Sequence, residues 1–318
     1  MECRICGDHG EHAHYQVREL MLGLRDEHDY FACQSCGCLQ ISHIPDNLPD
    51  YYPAENYYSY DAPRQGQGLK QQLVRLRDRY EVTGHSLPGH LLSLLMPNPK
   101  LATLRPLQLQ PQTRILDVGC GAGILLHSLW NIGFQHCLGI DPFNRADIAY
   151  PNGLRIEQRD LFSEQGEWDV IMFHHSFEHL PQQQATLEKA WQQLAPGGLV
   201  LLRIPTVSSY AWQHYGVNWS QLDAPRHLFL HSQDSITRLA GQTGFQLEQV
   251  IYDSNAFQFW GSEQYEQDIP LRSERSWAVN AEQSPFSAAD IKAFEKRARE
   301  LNAVNQGDQA AFYLRKPR

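Results

Sequence analysis

Arg114-Ile115-Leu116-Asp117-Val118-Gly119-Cys120-Gly121-Ala122-Gly123 is a short apolar run that breaks into three glycines at alternate positions. The run is too short for a buried helix and is bounded by glycine, so it is a strand. Ile124, Leu125, Leu126 and Leu129 come next at helical spacing. A strand that turns through glycines into a helix leaves bare backbone N–H groups at the helix N-terminus. There, at the carboxyl end of a parallel strand, the chain can lie close against a ligand.

Apolar runs alternate with amphipathic segments from residue 114 onward, the pattern of a parallel sheet covered by helices. Strands are expected at 114–118, 137–141, 154–158, 168–173, 199–204, 246–252 and 310–316. Leu187, Ala190, Trp191 and Leu194 mark a helix that Pro196-Gly197-Gly198 should stop. A second helix is expected over 231–243, capped by Ser232 or Asp234 and closed at Gly244. A third, charged and amphipathic, runs from Ser287 to Leu301. The expected fold is α/β, a seven-stranded doubly wound, Rossmann-like sheet. Asp141 closes the second strand, where a carboxylate can accept both hydroxyl protons of a ribose.

Upstream the composition changes. Five of the seven cysteines lie before residue 60, four of them as Cys3-x-x-Cys6-Gly7 and Cys33-x-x-Cys36-Gly37. Two residues between thiolates let both sulfurs of a tight turn face one ion, and the glycine permits the positive φ that such a turn needs. Two such turns supply four ligands, so Cys3, Cys6, Cys33 and Cys36 are expected to hold a structural Zn²⁺ in a small zinc-ribbon-like module, with Cys38 a spare thiol. An aromatic stretch from Tyr51 to Tyr60 ends this zone. Leu69, Leu73, Leu76 and Tyr80, then residues 90–95, suggest helices packing on the α/β domain. The expected division is a zinc module over 1–60, a helical connector over 61–108, and a main domain over 109–318 with an insertion at about 253–307.

Lys and Arg number 27 against 36 Asp and Glu, a net charge of −9. A surface built to grip a phosphate backbone is usually basic, so nucleic acid is a disfavoured partner. No stretch reaches the ~20 apolar residues of a membrane helix, and the first residues lack an apolar signal region. The expected setting is the cytoplasm, where closely spaced cysteines bind metal rather than pair.

The Asp117-x-Gly119-x-Gly121-x-Gly123 loop resembles that of the class I S-adenosylmethionine-dependent methyltransferases. The likeness extends through Asp160-Leu161, Glu178-His179-Leu180 and Leu194-x-Pro196-Gly197-Gly198. It implies that Asp117, Gly119, Cys120, Gly121 and Gly123 hold the cofactor's amino-acid portion, Asp141 and Pro142 its ribose, and Asp160 and Leu161 its adenine, with His174 near the pocket. It also implies a last strand running antiparallel to its neighbour. Dinucleotide loops place their last glycine differently, so hydride transfer ranks far behind.

Methyl transfer to a hydroxyl or an acidic carbon benefits from a general base, usually histidine near neutral pH. His175 comes after the fourth strand, Glu178-His179 opens the next segment, and His227 lies in Asp223-Ala224-Pro225-Arg226-His227 after the fifth strand. His227, His175 and His179 are the candidate catalytic residues, with His227 the expected base. This zone is similar to the zinc-containing sugar C-methyltransferases, whose base is a histidine preceded by glutamate. Arg226 occupies that glutamate's place and would suit an anionic acceptor. The expected activity is methylation of a small-molecule or carbohydrate-linked acceptor at oxygen or carbon. An RNA methyltransferase with a zinc module and a non-catalytic cofactor-binding scaffold are the alternatives.

Overall fold

The computed structural model describes residues 1–52 and 68–318. The expected boundary at residue 60 and most of the aromatic stretch, from Tyr57 to Tyr60, fall outside the described residues.

The chain opens with strands β1 (Ala13–Arg18), β2 (Glu27–Ala32) and β3 (Leu39–Ile41). Helices α1 (Leu69–Thr83), α2 (Leu87–Leu95) and α3 (Pro99–Ala102) come next. Then come β4 (Ile115–Val118), α4 (Ile124–Asn131), β5 (Cys137–Ile140), β6 (Ile148–Ala149), β7 (Arg155–Glu157) and β8 (Trp168–His174). The rest is α5 (Gln183–Gln193), β9 (Leu194–Pro205), α6 (Tyr210–Tyr215), β10 (Phe229–Leu230), α7 (Gln233–Gln242), β11 (Gln246–Tyr252), α8 (Phe257–Glu266), α9 (Ala288–Ala303) and β12 (Gln309–Arg315).

Among the described residues, eight strands form the main sheet in the order β11-β12-β9-β8-β4-β5-β7-β6. β7, β5, β4, β8 and β9 run parallel, and every residue of β4 is buried, as a strand covered on both faces must be. β12 is antiparallel to β9, as the resemblance implied. All seven expected strands are present. The eighth, β6, is a two-residue strand antiparallel to β7, too short to leave a periodic signal. From β4 the chain steps one way to β5 and β7, then returns to β8 and β9 on the other side. Beside β4 the sheet therefore has its topological switch point, the place where open α/β sheets bind ligands.

Helix ends obey local chemistry. Ser232 caps α7 by accepting from Ser235 N, and Ser287 opens α9 with Asp290 in a capping box. Pro196-Gly197-Gly198 does not stop α5, which ends at Gln193; it forms the irregular start of β9, where the register with β8 shifts between Trp168 and Val170.

The connector helices differ from expectation. Leu69, Leu73 and Leu76 face outward, as do Leu91, Leu94 and Leu95 on α2. α1 instead buries Asp78, Glu81 and Val82. Glu81 accepts from Ser93 Oγ at 2.6 Å and Asn98 N at 3.1 Å, and Gly89 lets α2 approach the α1 backbone, where a Cβ would come within 2.4 Å of the Leu76 carbonyl. Polar anchoring, not leucine spacing, sets which face turns inward.

The amino-terminal strands form a second sheet, β1-β2-β3-β10, whose fourth strand comes from far along the chain. Leu39 pairs with Leu230 and Gln40 with Phe229. Tyr30, Phe31, Leu39 and Ile41 share one apolar cluster with Leu228, Phe229 and Leu230 and with Val118 and Phe173 of the main sheet. Among the described residues no helix is long and apolar enough to cross a membrane.

Candidate active site

The glycine loop sits at the carboxyl end of β4. Gly119, Gly121 and Gly123 all have positive φ, at 72°, 55° and 73°. A Cβ on Gly119 would stand 2.4 Å from Ser176 Cβ, and one on Gly123 2.4 Å from Ile156 Cδ1, so side chains are excluded on two counts. Asp141 braces the loop: its Oδ2 accepts from Gly121 N at 2.8 Å and its Oδ1 from Phe143 N at 2.9 Å. Asn144 Nδ2 donates to the Gly121 carbonyl and the Tyr150 hydroxyl to that of Ala122. Ser176 Oγ donates to the Val118 carbonyl. These three supports carry no motif visible in the sequence.

Asp117 stands under the loop, 2% exposed, and its Oδ1 has no hydrogen-bond partner among the described residues. Burial, with the nearby Asp141 charge, pushes its carboxyl up to about 8. A buried carboxyl without a partner is costly unless a cation or donor meets it. S-adenosylmethionine fits this donor set, since its amino group can meet Asp117 over a backbone stripped of side chains. Cys120 lies partly buried in the loop, and burial raises its thiol. Pro142 is exposed beside Asp141. Asp160 is exposed and caps a short turn, its Oδ1 accepting from Ser163 N and Oγ at 2.9 Å each, with Leu161 buried behind it. His174 ends β8 with its Nε2 buried and without a partner among the described residues, and burial pushes its pKa well down.

The other three histidines converge on Glu178, which is fully buried. His175 Nδ1 lies 3.5 Å and His227 Nε2 3.9 Å from Glu178 Oε1. Burial raises this carboxyl, while the hydrogen bond from His175 and the charge of the surrounding histidines, where protonated, lower it to about 2. His179 and His227 meet edge to face, ring centroids 4.7 Å apart. Both tautomers are fixed by carbonyls, which can only accept: His179 Nδ1 donates to Arg226 O at 2.9 Å, and His227 Nδ1 to Gln221 O at 2.8 Å. In its neutral form each ring therefore carries its proton on Nδ1 and leaves Nε2 as the acceptor. Glu178, His179 and His227 present ligand atoms within 4.8 Å of one another. His175 holds a left-handed φ of 54°, strained by ~1–3 kcal/mol for a non-glycine residue, while Arg203 Nη1 donates to its Nε2 at 2.7 Å. Arg203 in turn pairs with Asp253 at 2.7 Å. A cavity of about 110 Å³ opens onto His175, His179 and His227, with Met21, Phe257 and Leu271 as its apolar walls.

Arg226 is not available to an anionic acceptor. It is 1% exposed, and its Nη2 donates to Glu19 at 2.9 Å and Asp223 at 2.6 Å. Removing a partner from such a buried pair costs ~3–5 kcal/mol, so the guanidinium is a structural brace.

Cys3, Cys6, Cys33 and Cys36 come together, with all four sulfurs within 4.8 Å of one another. Gly7 N donates to Cys3 O and Gly37 N to Cys33 O, each at 2.8 Å, closing two matched turns with positive φ at both glycines. Four thiols at this spacing are compatible with a tetrahedral metal site. Cys38 is buried next to this group, its Sγ directed at the Leu39 carbonyl.

Comparison with known proteins places the glycine loop in a wider family. Residues 88–250, just over half of the chain, match the family described as "Methyltransferase domain". A ubiquinone biosynthesis O-methyltransferase from Nitrosococcus oceani is 37% identical over 98 residues, 27% of this chain and 41% of that protein. A trans-aconitate 2-methyltransferase from Deinococcus radiodurans is 27% identical over 107 residues, 32% of this chain and 42% of that protein. The chain thus spans about half, or less, of the length of the curated relatives it matches. A solved cyclopropane synthase from Mycobacterium tuberculosis shares 19% identity at a TM-score of 0.42, covering 67% of this chain and 81% of that one. With its glycine loop at the switch point, its antiparallel last strand and a match over half its length, the chain belongs to the methyltransferase-domain family, in the class I S-adenosylmethionine-dependent fold.

Proposed function

We propose that this protein transfers a methyl group from S-adenosylmethionine to a hydroxyl or acidic carbon of a small or carbohydrate-linked acceptor. The observation that carries the reading is the histidine-lined cavity on the same edge of the sheet as the orphaned Asp117. Bound S-adenosylmethionine supplies an activated methyl group, so the protein's task is alignment, exclusion of water and removal of the acceptor's proton. Asp117 and the glycines at 119, 121 and 123, with Cys120, hold the amino-acid portion. Asp141 and Pro142 meet the ribose, Asp160 and Leu161 the adenine, and His174 closes the pocket wall. His227 takes the proton at Nε2, which Gln221 keeps unprotonated, while Glu178 stabilises the imidazolium and His179 and His175 line the acceptor's other side. Two relatives, one named a ubiquinone biosynthesis O-methyltransferase and the other a trans-aconitate 2-methyltransferase, support a small acceptor. Cys3, Cys6, Cys33 and Cys36 hold a structural zinc ion in a module over residues 1–60. Residues 61–108 connect it to the methyltransferase part over 109–318, whose insertion at about 253–307 covers the acceptor.

The test is incubation with methyl-labelled S-adenosylmethionine and an extract of source cells, fractionated by molecule class. Label in small molecules or glycans, absent from a Gly121→Arg variant, is the expected result. Label that ribonuclease removes would overturn the acceptor class.

Asp117 gives a second check. Its carboxyl, pushed up to about 8 by burial, must ionise to pair with the cofactor's ammonium group. Cofactor affinity is therefore expected to rise with pH, by up to about tenfold per unit between about pH 6 and pH 8. Asp117→Asn should flatten that rise. Calorimetric titration across the range reads it, and a flat profile in the unaltered protein would remove Asp117 from the cofactor contact.

A further inference from the structure

Two of the three imidazoles that line the cavity, those of His179 and His227, lie on a segment held by the amino-terminal sheet. His227 takes its tautomer from the Gln221 carbonyl and His179 from the Arg226 carbonyl, and the peptide that follows His227, next to the one carrying Arg226 O, is held from across the chain. The Tyr30 hydroxyl on β2, fully buried, donates to the His227 carbonyl at 2.8 Å. Ile41 N on β3 donates to the Leu228 carbonyl at 3.0 Å, while Leu228 N donates to Glu178 O at 2.9 Å. One residue before His227, the Arg226 carbonyl fixes His179, and the Arg226 side chain is anchored on Glu19. Glu19 also accepts from Leu22, Gly23 and Leu24 N–H groups, so its carboxylate is locked to the turn after β1. Residues 226–228 are therefore clamped between the cysteine-bearing sheet on one side and the Glu178 turn on the other.

We propose that Tyr30 and Glu19 are positioning residues for the reaction: Tyr30 sets the His227 imidazole through its carbonyl, and Glu19 sets His179 through Arg226. This rests on the reading of His227 as base. Neither residue touches the cavity's contents. Their effect reaches the acceptor only through the two rings, and the amino-terminal sheet becomes part of the catalytic machinery without lending it a reacting group.

Tyr30→Phe tests this with little risk to folding, because it keeps the buried ring and deletes one hydroxyl. Two readouts separate position from stability: the nitrogen resonances of the His227 and His179 rings, assigned with single His→Gln variants, and kcat beside the cofactor dissociation constant. In Tyr30→Phe the His227 resonances should move away from a single Nδ1–H tautomer. The rate kcat should fall on the order of ten- to a hundredfold, as small displacements of a catalytic group do, with cofactor affinity unchanged. Tyr265→Phe is the control: it removes another buried hydroxyl, one with no hydrogen-bond partner among the described residues, and should leave the ring signals in place. Unmoved ring signals in Tyr30→Phe, or an unmoved kcat beside moved signals, would overturn the proposal. Failure of the base reading shows separately, as normal turnover in His227→Ala.

Discussion

Replacing His227 with alanine is expected to lower kcat by ~10²–10⁴, the usual contribution of a positioned general base, while leaving the cofactor dissociation constant unchanged. The direction comes from geometry. His227 has its Nδ1 committed to Gln221 O, its Nε2 turned toward Glu178 and Asp223, and its ring at the wall of the acceptor cavity. The glycine loop is braced by other residues, Asp141, Asn144, Tyr150 and Ser176, so losing one imidazole removes proton transfer without disturbing cofactor contacts. Steady-state kinetics with an identified acceptor, paired with calorimetric cofactor titration, gives both numbers. A variant that turns over normally would transfer the role to His179 or to none of the three. A variant that loses cofactor binding instead would mean that the segment holds the pocket together.

The second large effect concerns the four thiols. Structural zinc in small modules contributes on the order of 10–16 kcal/mol of binding free energy, more than a sheet of four short strands can supply alone. Replacing both Cys33 and Cys36 with serine is therefore expected to abolish metal binding and unfold the amino-terminal sheet. Because β10 pairs with β3, and Ser232 Oγ donates to the Cys36 carbonyl at 2.5 Å, the loss propagates into residues 226–232. Turnover should vanish while cofactor affinity falls little, since the glycine loop and the Asp141 turn lie outside that sheet. Metal analysis should give one zinc per chain before the change and none after it, and circular dichroism should lose a first, separate thermal transition. Purified protein that is free of metal yet melts and turns over normally would refute the structural role.

Much of this architecture is legible locally. The strands of the main sheet announce themselves by short apolar runs, the glycine loop by spacing, and α7 and α9 by the serines at their caps. The two cysteine turns are legible for the same reason, since each is complete within four residues. Arg226 misleads because, although Asp223 three residues before it is one partner, nothing near it shows that the guanidinium is also buried on Glu19, 207 residues away toward the amino terminus. Tyr30 is silent for the same reason: its hydroxyl reaches a carbonyl 197 residues away. The leucines of α1 and α2 fit a helical period, yet the buried face belongs to Asp78 and Glu81, whose partners lie on and beyond the next helix. Pattern reading sees periodicity and short-range chemistry; contacts between distant segments have no periodic trace.

The pairing of β3 with β10 also sets an order of events at the ribosome. β3 is complete at Ile41, but its partner Phe229–Leu230 emerges only 188 residues later. At ~5–20 residues per second, the nascent strand waits roughly 10–40 s with one edge open. An open edge is a template for pairing with other chains. Early metal capture by the two cysteine turns, both finished by Gly37, would hold the nascent hairpin in shape through that interval. Cells starved of zinc should accumulate this protein as aggregates formed during synthesis, even where the finished protein keeps its metal tightly.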